Sequence, residues 1–272
     1  MRIACFADEI SPVFSDQLRV MAELGIRWMD LRSCWDLGVL QLNNHQIRDI
    51  RDLAGDKGIR VSCVSTPIGK ESIENPAETA VIQLHRAAEI AHFCDSRYIR
   101  IFSYYPGEMP RHQALETAAE RLSALAEIAR QEDVILVLES AKVTSCGTGA
   151  EIADLMEQVN SDHLRAVFDP AALVAAGDRP FEDSLPKVLS YLEYVHIKDS
   201  RFGQKERFVA GEVDAQVAEV LCALRDREDL FISLEPHLSY AGPAGGFSGE
   251  MPFRSAHRAL VDILNKENIS YQ

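Results

Sequence analysis

The segments Val134-Ile-Leu-Val-Leu-Glu139, Leu164-Arg-Ala-Val-Phe-Asp169, Tyr194-Val-His196 and Leu230-Phe-Ile-Ser-Leu-Glu235 each end a short apolar run on a residue able to ligate a metal. The steps between those terminal residues are 30, 27 and 39. Each step is about the length of one strand, one helix and their loops. Residues that recur once per βα unit, each at a strand's C-terminal end, converge on one point when the strands are parallel staves of a barrel. Active sites of such barrels lie at that end. Three carboxylates and one imidazole make an oxygen-rich donor set, better suited to Mn or Mg than to structural Zn.

Outward from these four runs, apolar stretches alternate with amphipathic ones along the chain. Four earlier strands are expected at Arg2–Phe6, Arg27–Leu31, Arg60–Ser65 and Tyr98–Phe102. Helices are expected at Phe14–Leu24, Asn43–Lys57, Pro76–Cys94, His112–Gln131, Thr148–Val159, Phe181–Tyr191, Val213–Leu224 and Phe253–Leu264. Gly25 and Gly58 read as C-caps of the first two. The strand runs are rich in Ile, Val and Leu without clean alternation, as suits parallel strands covered on both faces. Eight units in 272 residues average about 34 residues each, near the size of a barrel of about 250 residues. The expectation is a single (β/α)8 TIM barrel domain over residues 1–272. A doubly wound open sheet would need a Gly-rich turn after the first strand, and Ala7-Asp8-Glu9-Ile10-Ser11-Pro12 has no glycine. The loop Ser239–Met251, with Gly242, Pro243, Gly245, Gly246 and Gly249, follows the eighth strand and is a candidate lid with glycine hinges.

Lys and Arg number 28 against 42 Asp and Glu, a formal charge of −14. Such a surface repels phosphate backbones and anionic membranes, so the expected partner is a neutral small molecule, not nucleic acid or membrane. The six cysteines are scattered, with no Cys-x-x-Cys pair, which fits reduced thiols in a cytoplasmic protein. The chain enters a strand at once and has no apolar run of about 18 residues, so neither a leader nor a membrane span is expected.

A divalent cation held by Glu139, Asp169, His196 and Glu235 would act as a Lewis acid on a carbonyl and its neighbouring hydroxyl, stabilising the enediolate left when a proton departs. Glu139 and Glu235, on opposite sides, would be the catalytic acid and base. That serves epimerisation or aldose–ketose isomerisation. Each of the four residues also has a bland reading. A lone Glu at a strand end is usually solvated, Asp169 could merely start a turn, and His196 could be a bonded core histidine. The joint pattern over four strands outweighs these.

Beyond spacing, Val195-His-Ile-Lys-Asp199, Phe168-Asp-Pro170 and Leu234-Glu-Pro-His237 resemble the xylose-isomerase-like TIM-barrel superfamily of sugar phosphate isomerases and epimerases. Asp8-Glu-Ile-Ser11, Asp30-Leu-Arg32, Thr66-Pro-Ile-Gly-Lys70, Arg100-Ile-Phe-Ser103 and Ala210-Gly-Glu-Val-Asp214 extend the match over nearly the whole chain. The resemblance implies one divalent metal, Mn2+ first with Mg2+, Co2+ or Zn2+ as substitutes. It also implies proton transfer by the two matching glutamates and a homodimer or homotetramer. Two departures touch the substrate side. Where members of one branch often read Leu-Glu-Asn-Glu-Lys, this chain has Leu138-Glu-Ser-Ala-Lys142, and Asp-Pro-Ala-Asn becomes Asp169-Pro-Ala-Ala172.

Lys198 and His237 are the candidate substrate contacts, with Glu9, Arg32, Lys70 and Ser103 also lining the mouth. A salt bridge of Lys198 to Asp199 or Glu235 is the competing reading. Glu212 and Asp214 read as caps of the seventh helix. Trp35, just past the second strand, is expected to pack, with stacking on a sugar as the alternative. The leading function is a metal-dependent isomerase or epimerase of a small sugar, keto-sugar or polyol derivative. A lyase or dehydratase on a 3-keto-glycoside or inosose would share its first step. A DNA-repair endonuclease of the same superfamily would need more strand-end histidines and a basic face. A non-catalytic sugar-binding barrel would have lost a ligand.

Overall fold

The apolar runs form eight staves: β1 Arg2–Phe6, β2 Trp28–Leu31, β3 Arg60–Ser65, β4 Tyr98–Ile101, β5 Ile135–Glu139, β6 Leu164–Phe168, β7 Leu192–Ile197 and β8 Phe231–Leu234. They close as β1-β8-β7-β6-β5-β4-β3-β2, every pair parallel, in a computed structural model that describes residues 1–242 and 245–272. This is the (β/α)8 barrel expected from the spacing. The C-terminus ties back to its base, where Ile3 N–H donates to Gln272 O and Gln272 N–H to Met1 O.

Side chains alternate across a strand, and that parity places the site. Ala4, Cys63, Ile135, Val137, Val167, Tyr194 and Phe231 form their own apolar cluster, with Trp28 and Tyr98 against it. Tyr194 and Phe231 stack at 5.4 Å, and the Tyr194 hydroxyl donates to Asp30, beneath the mouth. Two residues further along each of these columns stand Glu139, Asp169, His196 and Ser233, and Glu235 follows Ser233 by two. The apolar plug thus lies directly below the polar groups. The other parity faces the helices in a second, larger core.

Around the staves run α1 Phe14–Leu24, α2 Asn44–Gly55, α3 Glu78–Phe93, α4 Arg111–Gln131, α5 Gly149–Val159, α6 Pro170–Ala176, α7 Leu185–Val188, α8 Val217–Ala223 and α9 Glu250–Lys266. Gly25 caps α1 in the left-handed conformation, as expected. α2 ends instead on Asp56, and Gly58 closes the next turn by donating to Gly55 O. The sixth helix starts at once after β6, eleven residues before the expected Phe181, because Asp169 and Pro170 together make a helix start. The Phe181–Tyr191 stretch is a wide turn, Pro180–Ser184, leading into α7.

Three antiparallel ribbons rise from the C-terminal ends of staves. They pair Ser33–Cys34 with Leu37–Gly38, Asp199–Ser200 with Arg207–Phe208, and Tyr240–Gly242 with Gly245–Phe247. The last replaces the expected open glycine loop over Ser239–Met251. Within that span Pro243 and Ala244 lie outside the described residues, and Met251 already belongs to α9. Among the described residues no helix is long and apolar enough to cross a membrane.

Candidate metal centre

Glu139, Asp169, His196 and Glu235 are all buried, and one ligand atom from each lies within 4.8 Å of the others. They come from four adjacent staves, β5 to β8. Asp169 has two tasks. Its Oδ1 accepts from Ala172 N–H at 3.1 Å, capping α6, so the carboxylate is oriented and Oδ2 is left for the cluster. Ala172 therefore contributes its backbone to holding the Asp and a methyl to the cavity wall.

Cations converge on these acids. Arg100, from β4, donates to Glu139 Oε2 at 2.7 Å. Arg32, just past β2, lies 3.4 Å from Glu235 Oε1 and bonds Asp8 Oδ2 at 2.8 Å. Lys198 donates to Glu235 Oε2, and its Nζ lies 2.8 Å from Asp169 Oδ2 and 3.7 Å from Glu139 Oε1. Burial and the Glu235 charge push Glu139 up, but His196, Arg100 and Lys198 outweigh them and hold it well below the usual carboxylate range. Burial likewise opposes ionisation of Glu235, and Lys198, His237 and His196 reverse it. His196 is lifted to about 9, because Glu139 and Glu235 overcome the cost of burying its charge.

Two buried atoms of the cluster remain without a hydrogen bond. His196 Nδ1 is 3.3 Å from Glu235 and 3.6 Å from Glu139 but is not aligned on either. Asp169 Oδ2 is close to Lys198 Nζ yet is also not aligned as its acceptor. Buried polar atoms are almost always satisfied, so two orphans aimed into one cluster of hard donors fit a divalent cation. Lys198 stands in for part of that positive charge.

Glu9, Glu235 and His237 form a second close group. His237 Nε2 lies 3.1 Å from Glu9 Oε1 and 3.4 Å from Glu235 Oε1. Glu9 Oε2 accepts from His237 N–H and Ser248 Oγ, fixing a residue whose φ is +52°. Gly246 sits so close that an added Cβ would lie 1.8 Å from the His237 ring, and one on Gly245 would lie 2.8 Å from Arg32. Close approach requires glycine at both positions. Lys70 lies 4.3 Å from the Phe102 ring, and burial, with Arg100 and Lys198, lowers it to about 8.

The mouth holds two adjoining cavities that share Lys70 and Tyr105, of about 820 and 1000 Å³. The larger is lined by Glu139, Asp169, Lys198 and His237. Arg32, Lys70 and Arg100 line the smaller. Ser103 departs from its expected place. It is buried, donates to Thr144 Oγ1 and accepts from Cys146 N–H, tying two loops together. Glu212 and Asp214 do not cap α8, whose N-cap is Gln216; they accept from Val209 and Phe202 N–H in the preceding loop. Asp199 organises that loop by accepting from Ser200, Gly211, Val213 and Ala215 N–H, and Lys198 pairs with Glu235 instead of with it.

Arg100 and Asp30 were missed as site residues. Each is a lone charged residue inside a stave, and the closed barrel, not the sequence, shows that it lies on the parity of an inward column. Asp30, above Tyr194 and Ser233, is pushed up by burial against the pull of His196.

Comparison with known proteins agrees with the fold. Inosose dehydratase 2 of Bacillus cereus is 33% identical over 86 residues, a match that spans 32% of this chain and only 28% of that protein. The crystal structure of the IolI protein with a bound zinc atom superposes with a TM-score of 0.78 at 18% identity, covering 98% of this chain and 99% of that one. D-psicose 3-epimerase from Clostridium cellulolyticum H10, solved with D-tagatose, gives 0.72 at 16% identity, with 98% of each chain covered. The family profile of xylose isomerase-like TIM barrels matches residues 18–260, and the chain belongs to that family.

Proposed function

We propose that the protein is a divalent-metal-dependent isomerase or epimerase of a sugar, keto-sugar or polyol derivative. The supporting observation is the pair Glu139 and Glu235, buried in one cluster on different staves, each paired with its own arginine. When bound by Glu139, Asp169, His196 and Glu235, a cation of the Mn or Mg type would supply Lewis-acid stabilisation of charge developing on substrate oxygen.

The surroundings of the two glutamates support different roles for them. Glu139 is bonded to Arg100, which does not give up its proton at any working pH. We assign Glu139 as the group that enters the cycle as a carboxylate and takes the proton from the carbon beside the carbonyl, becoming a carboxylic acid until that proton is passed on. The C–H electron pair moves into the new C–C double bond, and the carbonyl pair onto oxygen. Glu235 touches His237, an imidazole able to exchange protons, and is bonded to Lys198, which, despite its burial, Asp169, Glu235 and Glu139 hold as the charged ammonium. It is the group that returns a proton to carbon, and the reverse reaction exchanges the roles. Lys198 and Arg32 keep the cluster's charge balanced meanwhile. Incubation of the metal-loaded protein with a panel of keto-sugars in deuterated water tests this. Deuterium in recovered substrate and in an isomer is expected. A complete lack of exchange by protein shown to hold its metal would sink the reading.

One observation favours a second reading, a lyase or dehydratase on a 3-keto-glycoside or inosose. His237, buttressed by Glu9, stands beside Glu235 as an extra proton donor for a leaving group. The relative matched over 86 residues is named a dehydratase. Release of water or aglycone without any isomer would select it.

A further inference from the structure

We propose that the smaller cavity is a second ring subsite with Trp35 as its platform, so that the substrate is a two-ring glycoside and not a free monosaccharide. This rests on the reading that the first sugar sits at the Glu139–Glu235 cluster. The smaller cavity, about 820 Å³, adjoins the larger at Lys70 and Tyr105. Either alone falls in the range of about 300–1,000 Å³ that holds a whole small ligand.

Trp35 and Asp36 are the two turn residues of the Ser33–Cys34/Leu37–Gly38 ribbon, at φ +52° and +60°. Such a turn is made without strain by Asn-Gly, and a bulky residue at positive φ is an outlier. The strain is retained where it presents an indole to the cavity. Trp35 is 37% exposed and packs edge-on against Phe14 at 5.5 Å. Tyr240 and Phe247, from the C-terminal ribbon, line the same cavity and are 61% and 36% exposed. Three large aromatics left partly in water around one cavity form a stacking surface.

The polar lining selects a hydroxylated, uncharged ring. Asp8 is fixed through Oδ2 by Arg32 Nε and Ser33 Oγ, while Oδ1 is buried and has no partner. Asp8 lines the cavity, and a small rotation of its carboxylate would bring this oxygen to a ring hydroxyl. Arg32 is committed to Asp8, Glu235 and Gly246 O, and Arg100 to Glu139. These guanidinium groups are already neutralised by carboxylates, which disfavours a phosphate. An aromatic face beside a carboxylate acceptor matches a sugar, whose C–H face stacks while its hydroxyls donate.

The test titrates the Mn-loaded protein with 3-keto-glucose and 3-keto-cellobiose and follows deuterium exchange on both. The disaccharide should bind about tenfold more tightly. Trp35→Asn, which suits the turn, should keep or raise Tm and collapse that preference to about one, and Trp35→Phe should retain most of it. Equal affinity for the two sugars in the parent protein overturns the subsite. So does an equal loss on both sugars in Trp35→Asn, or a change of oligomeric state on size exclusion, which would mean that a second copy covers Trp35. Exchange without a Trp35-dependent preference sinks the subsite and leaves the proposed chemistry standing. A Trp35-dependent preference without exchange supports the subsite and sinks the chemistry.

Discussion

Glu139 and Glu235 carry the most exposed of the functional claims. Glu139→Gln and Glu235→Gln should each retain the fold by circular dichroism and lose turnover by about 10²–10⁴-fold, the worth of a positioned acid or base. Near-parental turnover in either would remove that residue's role. His196 makes a second test, in metal-free protein. Burial works against its charged ring, but Glu139 and Glu235 lift it from 6.5 to about 9. A group raised in the fold adds stability that is complete below its free value and lost as pH rises through the folded one. The Tm of chelated protein should therefore fall as pH rises from about 6.5 to 9. Saturating Mn should abolish that slope, because the metal takes the neutral ring. A flat Tm without metal would show that the ring does not carry the cluster's charge. The four acidic and imidazole groups were legible because each ends an apolar run, and strand parity then turns all four inward. Arg100 was not, since one Arg between Ile99 and Ile101 is equally consistent with an outward side chain until its stave is placed in the barrel.

At the level of elements, the staves and long helices were readable from period and composition, and the connections at the mouth were not. Tyr240–Gly242 and Gly245–Phe247 are too short to show an alternating pattern, so their pairing follows from what they rest on. Arg32 donates to Gly246 O, and the ribbon lies against Arg32 and His237. α6 was missed because its seven residues, Pro170–Ala176, are almost wholly apolar and show no polar face. Gly246→Ala should push the ribbon off His237, since the new Cβ would meet the ring 1.8 Å away. The expected result is a KM raised by about tenfold or more, with kcat less affected, because the wall of the substrate space moves while Glu139 and Glu235 keep their staves. An unchanged KM would mean that the ribbon takes no part in binding.

Across the whole molecule, three buried carboxylates and their cationic neighbours predict that the barrel's stability will depend on what fills the cluster. Chelation should lower Tm and Mn should restore it, by about 2.7 kcal/mol when free metal reaches 100 times Kd. Mg, Co and Zn should act in the same direction, and a Tm indifferent to every divalent ion would dismiss the centre. The formal charge of −14 works with this site by attracting cations to it at low ionic strength.

The placement of the groups has an evolutionary corollary. Every proposed ligand lies on β5 to β8 or one residue past them, while Arg32, Lys70, Arg100 and Trp35 come from β2 to β4 and the loops that follow them. Drift in first-half loops that touch no proposed ligand, the Trp35 turn among them, can thus reshape what enters while the ligand set keeps its place, whereas Arg100 and Arg32 are tied to Glu139 and Glu235. Lineages descended from such a barrel should diversify their diet faster than their mineral requirement, and the joint between α4 and β5 is where such halves would recombine.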